Sequence, residues 1–158
     1  MFKKLLTTRS LCVSAVIAAL YAALTLLLAP ISYGNLQCRV SEAMTLLPMV
    51  LPSSIPGLFV GCLLANLLGG STVWDIVFGS LATLLAAIGT YALRKKPILA
   101  ALCPVIANGV IVGAVLSLVW GLPLWLTMLE VAIGEVGAVI IGFALLAALK
   151  KVDLSRFQ

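Results

Sequence analysis

Nine of the ten basic residues of this chain fall into three clusters, and long aliphatic runs separate the clusters. Lys3, Lys4 and Arg9 precede the first run. Arg94, Lys95 and Lys96 divide the chain past its middle, and Lys150, Lys151 and Arg156 close it. In a polytopic membrane protein, such clusters mark the loops that stay on the cytoplasmic side. The net charge of +5 therefore points to the anionic inner leaflet of a lipid bilayer and not to nucleic acid. Composition agrees: 63% of residues are hydrophobic, 9% are charged, and mean hydropathy is +1.26. A soluble domain is about half apolar and about a quarter charged, so this chain has too little polar surface to cover a water-exposed globule. Its 158 residues suit one transmembrane domain, 1–158.

Apolar runs predict helices at about 10–29, 74–93, 98–120 and 124–149. The first run is longer than the core of a typical signal peptide and is expected to persist as a membrane helix. The stretch 41–70 reads as one long helix or two short ones, and charge decides between them. One helix would put Arg94-Lys95-Lys96 and the C-terminus opposite the N-terminus; two put all three clusters on one side. Pro52 and Pro56 supply the break. The expected fold is therefore an all-α bundle of six transmembrane helices with both termini cytoplasmic. Helices 2 and 3, at 41–52 and 56–70, are short, reaching only ~18 Å and ~22 Å.

Small residues recur at i, i+4 spacing, which lets helices approach closely in lipid. Helix 1 carries Ala15, Ala19 and Ala23, helix 3 Gly57 and Gly61, helix 5 Gly109 and Gly113, and helix 6 Gly134, Ala138 and Gly142. Internal packing is expected of helices 3, 5 and 6. For the alanine face of helix 1, internal packing and docking on another protein both stay open.

Polar residues inside apolar helices are costly and mark ligand or ion paths. In the six-helix topology Glu42 and Asp75 start helices 2 and 4 on the outer side, and Arg39 is the sole outer cation. Glu130 lies ~10 Å and Glu135 ~18 Å into helix 6. Asn66 is near the outer end of helix 3, and Asn108 is midway along helix 5. Blander roles exist: Glu42 and Asp75 suit helix N-termini, Arg39 can pair with Glu42, Glu130 can line a rim, and Asn108 can tie helices together. Glu135 has no basic partner on its own helix and needs one elsewhere. Trp74, Trp120 and Trp125 fall at the outer boundary, either as an interfacial belt or, for Trp120 and Trp125, as stacking surfaces for a flat ligand. The segment 30–40, with Tyr33, Asn35 and Gln37, can fold over such a ligand as a gate. These acceptor-rich groups suit a small planar molecule rich in N–H donors, or a cation. A phosphate would call for several Arg or Lys.

Enzyme chemistry finds little support. There is no phosphate-binding GxxxxGK[ST] loop, no Ser/His/Asp set and no His at all. Cys12, Cys38, Cys62 and Cys103 lack metal or disulfide spacing and read as small hydrophobes. Neither a metal nor a cofactor is expected.

Five stretches carry a resemblance: Arg39-Val-Ser-Glu42-Ala, the run from Ile55 to Asn66-Leu, the run from Asp75-Ile-Val-Phe-Gly to Ala86, Pro104-Val-Ile-Ala-Asn108-Gly, and Val131-Ala-Ile-Gly-Glu135. In their order and spacing, over nearly the whole chain, they resemble the substrate-binding (S) components of energy-coupling factor (ECF) transporters. Within these they are similar to the queuosine-precursor transporter (QueT) family. The resemblance implies an S-component-like bundle in a bacterial cell membrane. It would capture a 7-deazaguanine (preQ0, preQ1 or queuine) from outside. It further implies that the helix 1 alanines dock on a transmembrane coupling subunit and that two ATPase subunits drive uptake. On that footing Glu135 or Glu42 would accept N1–H and the 2-amino group of a guanine edge. Glu130 would meet an aminomethyl ammonium, and Asn66 and Asn108 would read carbonyl and ring nitrogens. Two alternatives share the composition: an S-component for a different vitamin, and a non-transport membrane assembly protein whose polar residues only hold helices together.

Overall fold

The structure is a computed structural model that describes residues 7–32 and 39–149. Both termini, and the gate residues Tyr33, Asn35 and Gln37, lie outside the described residues. Within them every regular element is helical: α1 (Thr8–Leu27, followed by one turn at Ala29–Ser32), α2 (Val40–Met49), α3 (Ser54–Leu68), α4 (Asp75–Ala92), α5 (Pro97–Trp120) and α6 (Leu124–Leu149). Helices α1, α4, α5 and α6 are long and apolar enough to cross a membrane. This is the architecture of a multi-pass membrane protein, with two shorter helices inserted between the first and second long ones.

Each break has a local cause. Thr7 caps α1 by accepting the Ser10 N–H at 3.3 Å. The chain turns between α2 and α3 at Leu51-Pro52-Ser53, where Ser54 Oγ donates to the Leu51 carbonyl at 2.7 Å. The Arg94-Lys95-Lys96 turn joins α4 to α5, and Pro97 opens α5, a position where a missing N–H costs nothing. Gly121 closes α5 in the left-handed region (φ 65°), which favours glycine. The Leu122 N–H then returns to the Ser117 carbonyl at 3.1 Å, and Pro123 forbids continuation.

The stretch 41–52, expected as an ordinary short helix, is a ten-residue 3₁₀ helix, α2. Pro48 inside it lacks the N–H that an α-helix would use. The tighter coil also rises more per residue, so ten residues reach ~20 Å where an α-helix would reach ~15 Å. Residues 41–48 are all buried, and α2 packs against each of the other five helices. It is the axis of the bundle. The α2–α3 turn does not reach the end of α1: the Ser53 carbonyl accepts from Ser14 Oγ at 2.6 Å, some six residues or ~9 Å along α1.

Glycines set the close approaches. A Cβ at Gly61 would stand 2.8 Å from Tyr21 Cβ and 2.9 Å from the Ala18 carbonyl oxygen, so α3 lies directly on α1. A Cβ at Gly113 would stand 2.6 Å from Met128 Cα, bringing α5 onto α6. Gly142 meets Ala43 and Leu46 of α2 in the same way. The alanine face of α1 behaves differently. Ala15, Ala19 and Ala23 are exposed, while Ala18 and Ala22 turn inward.

Candidate functional site

Five helices bring polar side chains to one buried place in the bundle. From α2 comes Glu42 (1% exposed), from α5 Asn108 (3%) and from α6 Glu135 (4%). Arg39, buried at the start of α2, lines the same small void, with Val112 and Val131 as its apolar walls. Helices α1 and α4 contribute through the partners of Glu42. Tyr21 Oη donates to Glu42 Oε1, and Thr83 Oγ1 donates to the same oxygen at 3.1 Å. Beside Thr83 lies Cys62, whose Sγ is 3.3 Å from Thr83 Oγ1, 3.6 Å from Asn66 Nδ2 and 3.9 Å from Arg39 Nη1.

Local structure explains each placement. The first turn of α4, Asp75–Gly79, is wound as a π-helix. Asn66 reaches into it, donating from Nδ2 to the Asp75 carbonyl at 3.1 Å. Gly79 leaves the room, since a Cβ there would come within 3.2 Å of that amide. One turn beyond Gly79, Thr83 faces Glu42, and Thr83 Oγ1 also lies 3.2 Å from the Gly79 carbonyl, a competing acceptor for its single proton. π-turns inside α-helices are frequent at functional sites. Asp75 itself stays local, accepting from Thr72 Oγ1 at 2.8 Å. In the same void, Asn108 Nδ2 donates to Glu135 Oε1 at 2.8 Å, joining α5 to α6.

The pattern of unmet acceptors is informative. Glu42 Oε2, Glu135 Oε2, Asn108 Oδ1 and Asn66 Oδ1 are all buried without a hydrogen-bond partner among the described residues. Orphan acceptors of this kind cost about 1–3 kcal/mol each, and more when charged. A protein retains several in one place when something else supplies the donors. The void itself has room for about one water molecule, so a heterocycle enters only if the helices part.

The structure thus joins Arg39, Glu42, Asn108 and Glu135, with Asn66 one side chain away. It does not bring in the others. Glu130 is half-buried on α6 and lines no part of the void. Trp120 and Trp125 are 66% and 81% exposed, and Trp74 is exposed and stacked on Phe78 with ring centroids 5.9 Å apart. All three lie at helix ends, as a membrane-interface belt would. Sequence reasoning missed Tyr21, Thr83 and Cys62. A signal was present for the first: Ser10, Ser14, Tyr21 and Thr25 recur at helical spacing and form the buried face of α1, opposite the exposed alanines.

Among the described residues no cluster of side chains could hold a metal ion, and Cys12, Cys62 and Cys103 are free thiols.

No solved structure matches this chain. A relative from Lactococcus lactis subsp. cremoris (strain MG1363), named as a queuosine precursor transporter, is 39% identical over 72 residues. That alignment takes in 44% of this chain and 42% of the relative, so it spans less than half of either. The profile of QueT transporters matches residues 11–151, nearly the whole described bundle. On that match, the chain belongs to the QueT transporter family.

Proposed function

We propose that this chain is the membrane-embedded capture subunit of an ECF-type importer in a bacterial cell membrane, and that its cargo is a 7-deazaguanine precursor of queuosine. The observation that carries the reading is the acceptor-rich cluster of Glu42, Asn108 and Glu135, each with a buried oxygen lacking a donor among the described residues. A 7-deazaguanine presents N1–H and a 2-amino group on one edge, and preQ1 and queuine add an amine on the opposite side. The cluster is therefore complementary in hydrogen-bond sense. The related lactococcal protein, named as a queuosine precursor transporter, supports the same cargo.

Binding and release require the void to widen, and energy for that cycle comes from elsewhere. The chain has no phosphate-binding loop, so uptake is assigned to a transmembrane coupling subunit and two ATPase subunits. The exposed Ala15, Ala19 and Ala23 face offers the coupling subunit a smooth surface for close helix approach. Tyr33, Asn35 and Gln37 are assigned to the gate over the outer mouth.

The test is calorimetry with 7-aminomethyl-7-deazaguanine on the purified chain in detergent. Wild-type protein binds it, and Glu135→Gln weakens binding by about 2–3 kcal/mol, the range of a charge-assisted hydrogen bond. Unchanged affinity with a lower melting temperature would make Glu135 a structural residue. Tight binding of an unrelated vitamin, with none of the deazaguanine, would overturn the cargo.

A further inference from the structure

Glu42 and Glu135 are not equivalent to free carboxylates, because each already uses one oxygen on the protein. Glu42 Oε1 receives both Tyr21 Oη and Thr83 Oγ1. Glu135 Oε1 receives Asn108 Nδ2. In both residues Oε2 is the oxygen left without a donor among the described residues. A carboxylate held in this way cannot turn both oxygens to one ligand edge without giving up its protein donors. The two residues come from different helices, α2 and α6, and line one void.

The surroundings of the two also differ in donors. Arg39 borders the void together with both carboxylates, and Glu42 Oε1 already carries two hydroxyl donors, Tyr21 Oη and Thr83 Oγ1. The hydrogen-bond partner of Glu135 is a neutral amide. With both carboxylates and the guanidinium around one void, a positively charged ligand group is best placed against Glu135, the carboxylate with fewer protein donors already on it.

Resting on the cargo reading above, we propose that the two glutamates divide one ligand between them: Glu42 Oε2 accepts from the 2-amino edge of the guanine ring and Glu135 Oε2 receives a protonated amine on the 7-substituent. Tyr21 and Thr83 are positioning residues for the first reader, and Asn108 for the second. Selectivity then has two independent parts. Loss of the 2-amino group penalises only contacts at Glu42, and replacement of the amine by a neutral group penalises only contacts at Glu135.

Calorimetry on the purified full chain with three probes tests this. They are 7-aminomethyl-7-deazaguanine, its 7-cyano counterpart, and 7-aminomethyl-7-deazahypoxanthine, which lacks the 2-amino group. Wild-type protein prefers the first over each of the others by about tenfold or more, the worth of a hydrogen bond to a charged group. Glu135→Gln abolishes the preference for aminomethyl over cyano and keeps the 2-amino preference. Glu42→Gln does the reverse. Tyr21→Phe, which keeps the ring that packs against α3, reduces the 2-amino preference alone and serves if Glu42→Gln does not fold. A purely structural role for Tyr21 would weaken all three probes alike, and that result counts against the proposal. If one glutamate variant erases both preferences, or each erases both, the division is wrong while the cargo reading stands. Wild-type binding of none of the probes overturns both.

Discussion

Glu42 stands at the centre of the bundle with two side chains hydrogen-bonded to its carboxylate, and neither is its sequence neighbour. Tyr21 is 21 positions away and Thr83 is 41, while Arg39 shares its helix start. The sequence singled out Glu42, Glu135, Asn66 and Asn108 because polar side chains in apolar runs need partners. It could not say which ones share a partner. Both Glu130 and Glu135 are candidates to face a cargo on sequence grounds, Glu135 the more so, but five positions on a helix turn a side chain by about 140°, and only Glu135 reaches the void. At the same scale, Ala19 on the outward face of α1 is exposed. On the docking assignment, Ala19→Leu weakens association with a coupling subunit by about 1–3 kcal/mol, the overpacking range. Ligand affinity stays unchanged. Co-purification measured beside ligand calorimetry checks this, and equal loss of both would place Ala19 in the internal packing.

Among the elements, irregular backbone is placed where hydrogen-bonding side chains can satisfy it. Pro104 inside α5 leaves the Ala100 carbonyl without its usual helical donor. Thr90 of α4 fills the gap, its Oγ1 lying 3.2 Å from that oxygen. The π-turn of α4 is stitched by Asn66, and the 3₁₀ helix α2 by Thr45 Oγ1 donating to the Glu42 carbonyl at 2.5 Å. In lipid, where water offers no relief, such repairs are required. The seam between α5 and α6 relies instead on glycine. Gly113→Ala puts a methyl 2.6 Å from Met128 Cα, which is backbone and cannot step aside. It should cost about 1–3 kcal/mol and lower the melting temperature in detergent. Gly109→Ala, whose methyl meets the Ala132 side chain at 3.2 Å, should cost clearly less. Equal melting temperatures for the two variants would mean that the seam is looser than drawn. Because the void lies under this seam, Gly113→Ala should also weaken cargo binding.

For the whole molecule, the three basic clusters predict that the α4–α5 turn faces the cytoplasm and the α5–α6 turn faces outside. In a background without native cysteines, Lys95→Cys should react with a membrane-impermeant maleimide only in inverted vesicles. Leu122→Cys should react only in intact cells. The opposite pattern would invert the bundle and move the glutamate cluster to the inner half. The sequence by itself determined what hydropathy and local backbone chemistry can encode: an all-helical membrane chain, four long apolar helices, a break between two short helices near Pro52, and a shortlist of costly polar residues. These are properties of consecutive residues, so they survive without knowledge of neighbours. Only the tertiary structure decided that the second helix is a stretched 3₁₀ axis touched by all the others. It alone selected Glu42, Asn108 and Glu135 from the shortlist and left Glu130, Trp120 and Trp125 outside. It also gave Glu42 and Glu135 one occupied oxygen each and one without a donor among the described residues. Those outcomes depend on side chains meeting across 21 to 41 positions of chain, and helical periodicity carries no information about which distant faces will meet.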